Sequence, residues 1–231
     1  LSGLRQGEPG LLIVEGDAGM GKSLLTQELI RKVDELDHGE SPDARPLVLV
    51  GHGDAIELST PYYAWRPVFE RILDLNFRER SARDVNGWQD QFVEMLDPDL
   101  RYLAPLLNVV LPLELPETPL TEQITGEARQ DNTQLLLVNI LKSAAADNPL
   151  VLIMDEVHWL DSVSWALARR VQRDIEHLLL VLVTRPMAAQ LPLGVHRLPP
   201  DGAQAAEGIT SPLAEFSRLP VARHILLDTL P

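Results

Sequence analysis

Four unbroken apolar runs stand out along the chain: Leu11–Val14, Leu47–Val50, Leu150–Met154 and Leu178–Val183. Runs without polar alternation, bounded by Gly, Pro or charge, read as strands buried on both faces of a parallel sheet. Ile225–Leu227 reads as a fifth, shorter strand. Between the runs the apolar spacing changes to that of helices: Leu25, Leu29, Ile30 and Val33; Val68, Phe69, Ile72 and Leu73; Trp88, Phe92 and Met95. Glu127–Ala146 reads as a long helix leading into the third run. Asp161 and Ser162 look like the N-cap of the next helix, whose inward face would carry Ala168, Val171 and Ile175. The alternation predicts an α/β fold. Pro61 to Pro119 reads as a helical, proline-rich insertion in which Pro105, Pro112, Pro116 and Pro119 break helices, and the Pro-, Gly- and Ala-rich stretch from Pro186 to Pro220 reads as containing a mobile loop. No internal repeat is evident.

Composition narrows the function classes. With 231 residues, 45% of them hydrophobic, the chain can build one full-sized core, so residues 1–231 are read as one domain with an insertion at about 61–119. Apolar runs fall short of the roughly 20 residues that span a bilayer, and no signal-peptide pattern opens the sequence, so a soluble, cytoplasmic protein without a membrane partner is expected. The absence of cysteine excludes disulfides, thiolate catalysis and Cys-ligated zinc. A net charge of -14 disfavours binding to polyphosphate backbones, and the Arg66–Arg83 and Arg169–Arg173 groups lack interleaved aromatics, so direct nucleic-acid binding is not expected.

Against that acidic background, one stretch is built to hold an anion. Gly16-Asp17-Ala18-Gly19-Met20-Gly21-Lys22-Ser23 follows the first strand, opens a helix and matches G-x-x-x-x-G-K-[ST] in full. Glycine lets successive backbone amides turn inward around a phosphate without a Cβ in the way, and the helix adds its positive end. The candidate binding set runs from Gly16 through Leu24, with Lys22 reaching the β- and γ-phosphates of a nucleotide and the Ser23 hydroxyl ligating Mg²⁺. Chance would produce the four fixed positions in about 1% of chains this long, before the flanking strand and helix are required.

Asp155 and Glu156 fall at the carboxyl end of the third run, the edge at which open α/β sheets bind ligands. Carboxylates beside a buried strand are expensive unless they serve a cation or a reaction. Asp155 is read as a Mg²⁺ ligand and Glu156 as the group that polarises a water against the γ-phosphate. His158 and Trp159 read as packing residues, although a His here is also placed to sense the γ-phosphate. At the end of the fourth run, Thr184 is read as a donor to the attacking water or the phosphate, and Arg185 as a stabiliser of its charge.

"GDAGMGKS", "TPYYAWRPVFERIL", "PLVLIMDEVHWLDSVSW" and "LLLVLVTRP", in this order, resemble the AAA+-related STAND ATPases. The likeness is to P-loop modules fused to class III adenylyl cyclases and to large transcriptional regulators, AAA ATPase domains of the origin-recognition type. The resemblance implies a three-layer P-loop NTPase sandwich with strand order 5-1-4-3-2. It also implies Lys22 and Ser23 on phosphates and Mg²⁺, Asp155 on Mg²⁺, Glu156 as catalytic base, and Thr184-Arg185 at the sensor position. Neither the Gly-Arg-x-x-Glu segment that precedes the first strand in that family nor the helical lid after its last strand is found, so the chain is expected to be the core of a longer protein.

The function expected is a Mg²⁺-dependent ATPase module in signal transduction, with ATP and ADP as ligands and other domains of the same polypeptide as partners. The resemblance also admits a nucleotide-dependent oligomer. Two alternatives use the same loop: a switch in which ATP and ADP select different conformations with negligible turnover, and a small-molecule kinase, against which the acidic pair followed by "VHWLD" argues.

Overall fold

The computed structural model describes residues 9–35, 46–77, 93–94, 96–111, 113–145, 148–186 and 211–228. Five parallel strands make one sheet: β1 (Gly10–Gly16), β2 (Leu47–His52), β3 (Leu150–Asp155), β4 (Leu178–Thr184) and β5 (Ala222–Leu227), in the order β2-β3-β4-β1-β5. Read from the other edge this is 5-1-4-3-2. Among the described residues the helices are α1 (Lys22–Glu35), α2 (Arg66–Phe77), α3 (Pro119–Gln123), α4 (Gly126–Ala144), α5 (Ser162–Asp174) and α6 (Pro212–Ser217). The chain is an α/β P-loop NTPase fold.

Strand alternation divides the core by side-chain shape. Leu11, Ile13, Leu49, Leu150, Leu152, Leu180 and Leu182 point to one face, where they meet Trp65, Phe69 and Ile72 from the α2 region and buried residues of α4 and α5. The other face shows mainly valines and isoleucine, Val14, Val151, Ile153, Val181 and Val183, packed with Val33 of α1. Five consecutive residues of β3, Leu150 to Met154, are fully buried, which is why their sequence lacks alternation. Trp65 is also fully buried and places its indole N–H on the Ser164 carbonyl at 3.3 Å, tying the turn before α2 to α5.

Several sequence expectations are adjusted. Pro105 does not end its helix: Pro98–Val109 is a continuous 3₁₀ run containing it, capped by the Asp97 side chain. Such length is uncommon for 3₁₀ structure. Here Leu103, Ala104, Leu106 and Leu107 are buried in the main core, and that packing outweighs the amide proline lacks. Pro119 starts α3 rather than stopping a helix, within a Thr118–Thr121 capping box. Ile175 is the C-cap of α5, just outside the helix, though it is buried as expected. The stretch from Pro186 to Pro220 includes α6, and the strand expected at Ile225–Leu227 starts earlier, at Ala222, with Arg223 and His224 paired to β1 as edge-strand residues. Trp88, Phe92 and Met95 lie outside the described residues, as do 187–210. Among the described residues no helix is long and apolar enough to cross a membrane.

The exit of β2 is packed to the limit. A Cβ on Gly51 would lie 2.4 Å from the Ala64 carbonyl oxygen and 2.7 Å from Met154 Sδ, whereas one on Gly10 would meet only the movable Leu179 Cδ1 at 3.1 Å. Gly51→Ala is expected to cost roughly 1–3 kcal/mol, a fall in Tm of about 2–4 °C per kcal/mol, and Gly10→Ala distinctly less. Thermal unfolding of the two variants checks this, and equal losses would contradict the close approach.

Candidate functional site

The loop between β1 and α1 owes its path to two residues in the left-handed region, Gly19 (φ 83°) and Gly21 (φ 85°). No neighbour lies within 4 Å of where either Cβ would stand, so the backbone angle and not lack of room calls for glycine. Lys22 is only 6% exposed, and its ammonium donates to the carbonyls of Gly16 (2.8 Å) and Asp17 (3.0 Å). The buried cation is thereby drawn back over the loop that precedes it, with a third N–H unused by these bonds. Asp17, Ala18, Gly19, Gly21, Ser23 and Leu24 are exposed and Met20 half-buried, its amide bonded to the Asp17 carbonyl at 3.3 Å. Because α1 begins at Lys22, the amides of its first turn have no intrahelical acceptors and face the same loop.

Register brings the other candidates to this edge. Thr184 pairs with Glu15, the residue before Gly16, and Asp155 closes β3 opposite His52 of β2. Asp155 Oδ1 accepts the Glu156 amide at 2.8 Å, and Oδ2 lies 3.8 Å from His52 Nδ1. Glu156 then turns sharply, in the left-handed region at φ 50° and ψ 44°. Gly53 fixes that turn: its amide donates to the Asp155 carbonyl at 2.9 Å, and a Cβ on it would stand 2.5 Å from the Glu156 carbonyl oxygen. The Glu156 carboxylate thus leaves the strand direction and places Oε2 3.2 Å from His158 Nε2 and 3.7 Å from Arg185 Nε.

His158 is the buried centre of the group, its side chain 1% exposed and its ring 4.7 Å from that of Trp159, centroid to centroid. Burial pushes its pKa below the ordinary imidazole value, opposed by Glu156 and Asp155 and reinforced by Arg185 and Lys22. Because β4 lies between β3 and β1 and runs parallel to both, the β3 carboxylates, Arg185 and the β1 loop share the carboxyl edge of three neighbouring strands. Thr184 is turned from it: the residue is fully buried and its hydroxyl donates to the Arg185 carbonyl at 3.1 Å. Sequence reasoning passed over His52 and Gly53, whose only local signal is the Gly-His-Gly-Asp run after the second strand.

Among the described residues no group of three or more His, Asp or Glu is arranged as a metal site. The oxygen groups at the edge include the Ser23 hydroxyl and the Asp155 and Glu156 carboxylates. A donor set this sparse suits Mg²⁺, which holds few protein ligands and completes its octahedron with water and phosphate oxygens.

The family model of the AAA ATPase domain matches residues 1–183. The chain belongs to the AAA ATPase domain family. Nucleotide binding and ATPase function follow at the level of the family. The match stops just before Thr184 and Arg185, so family membership does not extend to the sensor position. The domain is also similar to human adenylate cyclase type 10, with 21% identity over 165 residues, which is 71% of this chain and 10% of that protein. The chain therefore spans about a tenth of the length of the curated relative it matches.

The lowered His158 pKa sets the sign of a pH effect. A folded imidazole that resists protonation means that the unfolded chain binds more protons, so stability falls as pH drops below the ordinary value of 6.5 toward the folded-state value. Thermal unfolding of the wild type is expected to lose more stability on acidification through that window than His158→Gln. Parallel curves for the two proteins would show that burial of the imidazole costs nothing.

Proposed function

We propose that this AAA ATPase domain binds Mg²⁺-ATP on the β1–α1 loop and hydrolyses it with Glu156 as general base, as the regulatory core of a larger protein. The observation that carries the reading is the position of Glu156: a left-handed turn takes its carboxylate out of the strand and onto Arg185, at the sheet edge that β3 and β4 share with the β1 loop holding Lys22. The loop amides from Asp17 to Leu24 receive the phosphates, and Lys22 keeps its bonds to the loop carbonyls while its remaining N–H meets phosphate oxygen. Ser23 and Asp155 would hold Mg²⁺, which when bound neutralises charge on the phosphate oxygens. Glu156 takes a proton from water as the water oxygen bonds to the γ-phosphorus, and the bond to the bridging oxygen breaks to leave ADP. Arg185, half exposed at the rim, meets the charge on the γ-phosphoryl oxygens, while Thr184 supports it through the Arg185 carbonyl. The same reading takes residues 1–231 as one cytoplasmic P-loop domain with its insertion at about 61–119. Other domains of the same polypeptide would receive its signal, by analogy with the cyclase-named relative.

A switch with little turnover is favoured by one observation. Arg185 Nε stands 3.7 Å from Glu156 Oε2, and a carboxylate engaged by a guanidinium is less free to hold a water. In that case ATP and ADP would differ in affinity without phosphate release.

Phosphate release with Mg²⁺-ATP, measured beside ATP and ADP affinities, separates the two. Lys22→Ala is expected to lose ATP binding. Glu156→Gln is expected to keep it while turnover drops by about 10²- to 10⁴-fold. Undiminished turnover in Glu156→Gln would remove the general-base assignment, and negligible wild-type turnover with a large ATP/ADP affinity difference would establish the switch.

A further inference from the structure

Three buried polar atoms at this edge lack a hydrogen bond. Glu156 Oε2, His158 Nδ1 and His158 Nε2 are all buried, and none has a hydrogen-bond partner, although Oε2 and Nε2 are only 3.2 Å apart. The distance suffices for a bond but the alignment does not. Buried polar atoms left this way are costly, so a small rotation of either side chain that aligns the pair is favoured. Hydrogen bonds at catalytic groups are often misaligned before substrate binds and tighten once it does.

We propose that His158 is a positioning residue for Glu156, its Nε2–H holding Oε2 so that the carboxylate's other oxygen, Oε1, is presented to the attacking water. The inference rests on the reading of Glu156 as general base. Two features of the pocket make the imidazole the suitable donor. Arg185, the other group near Oε2, is exposed, and an arriving phosphate with its greater charge competes for the guanidinium, whereas His158 is sealed between Glu156 and Trp159. Moreover, a cationic donor would draw electron density from the carboxylate and weaken it as a base, while a neutral N–H orients it without that loss. Burial keeps the imidazole neutral.

The backbone supports the same assignment. Glu156 is the N-cap of one tight 3₁₀ turn, Val157–Trp159, and His158 its middle residue, the turn being closed by the Trp159 amide on the Glu156 carbonyl at 2.9 Å. Gly53 presses against that carbonyl from β2. The turn therefore holds the two Cα positions at a fixed spacing, so that side-chain rotation alone decides whether the pair is aligned.

The test uses the full chain. His158→Leu removes the donor at similar apolar bulk and is expected to lower kcat about 10- to 100-fold with ATP affinity unchanged, as loss of an orienting partner does elsewhere. His158→Gln, which keeps an N–H within reach, is expected to recover most of that loss. In a Glu156→Gln background, His158→Leu should add no further loss. Nitrogen NMR of the His158 ring supplies a readout that needs no turnover: the Nε2–H tautomer is expected, with its resonance shifted by Glu156→Gln. An Nδ1–H tautomer would overturn the proposal, as would wild-type turnover in His158→Leu or a His158→Gln protein as slow as His158→Leu. Turnover persisting in Glu156→Gln would instead overturn the general-base reading, so the two failures are distinguishable.

Discussion

A single buried ammonium sets the terms for everything at the carboxyl edge. Lys22 sits almost without exposure at the start of α1, and such a charge is tolerable only because two loop carbonyls accept from it. Those bonds pull Gly16 and Asp17 back over the lysine. The two positive-φ glycines then carry the chain around to the helix. The result is a locally positive cradle in a molecule whose net charge is -14. Long-range attraction of an anion is therefore weak or adverse, and the local attraction comes from the short-range amides and the lysine.

The acidic pair opposite is the counterpart of that cation. Asp155 ends a strand whose preceding five residues are fully buried, so its carboxylate emerges from a dry core and is held at once by the next amide. Glu156 cannot follow the strand, because the left-handed turn redirects it. This division gives neighbouring carboxylates different partners: Asp155 faces His52 and its neighbour's amide, Glu156 a buried imidazole and an arginine. Adjacent acids with separated environments can take separate roles, whereas identical environments would leave them competing for one.

How far the sequence reveals this depends on whether the determinant is local. The β1, β3 and β4 runs are readable because full burial on both faces removes every polar residue from them, and the Gly-Lys-Ser loop because its geometry is demanded residue by residue. The 3₁₀ run through Pro105 is not readable, since proline's local preference is overruled by four buried neighbours. Half of β5 is hidden for the opposite reason: Ala222–His224, on an edge strand, carries Arg223 and His224, so the apolar run begins only at Ile225. The role of Gly53 is invisible in sequence because it depends on the carbonyl of Glu156, which reaches it only when β2 and β3 lie side by side.

The pocket is also braced from the insertion side. Asp161 accepts the amides of Val163 (3.0 Å) and Ser164 (2.9 Å) as N-cap of α5, and the amide of Tyr62 at 3.2 Å. Tyr62 is itself in the left-handed region, at φ 59°, so the turn before α2 is bent to meet that carboxylate. With Trp65 donating to the Ser164 carbonyl, the segment after β2 and the segment after β3 are fastened at two points. The loop from Asp155 to Leu160 lies between Gly53 and this clasp. A backbone displacement of Glu156 toward β2 is opposed by Gly53, where even a Cβ would stand 2.5 Å from the Glu156 carbonyl oxygen, whereas rotation of its side chain leaves both fastenings intact.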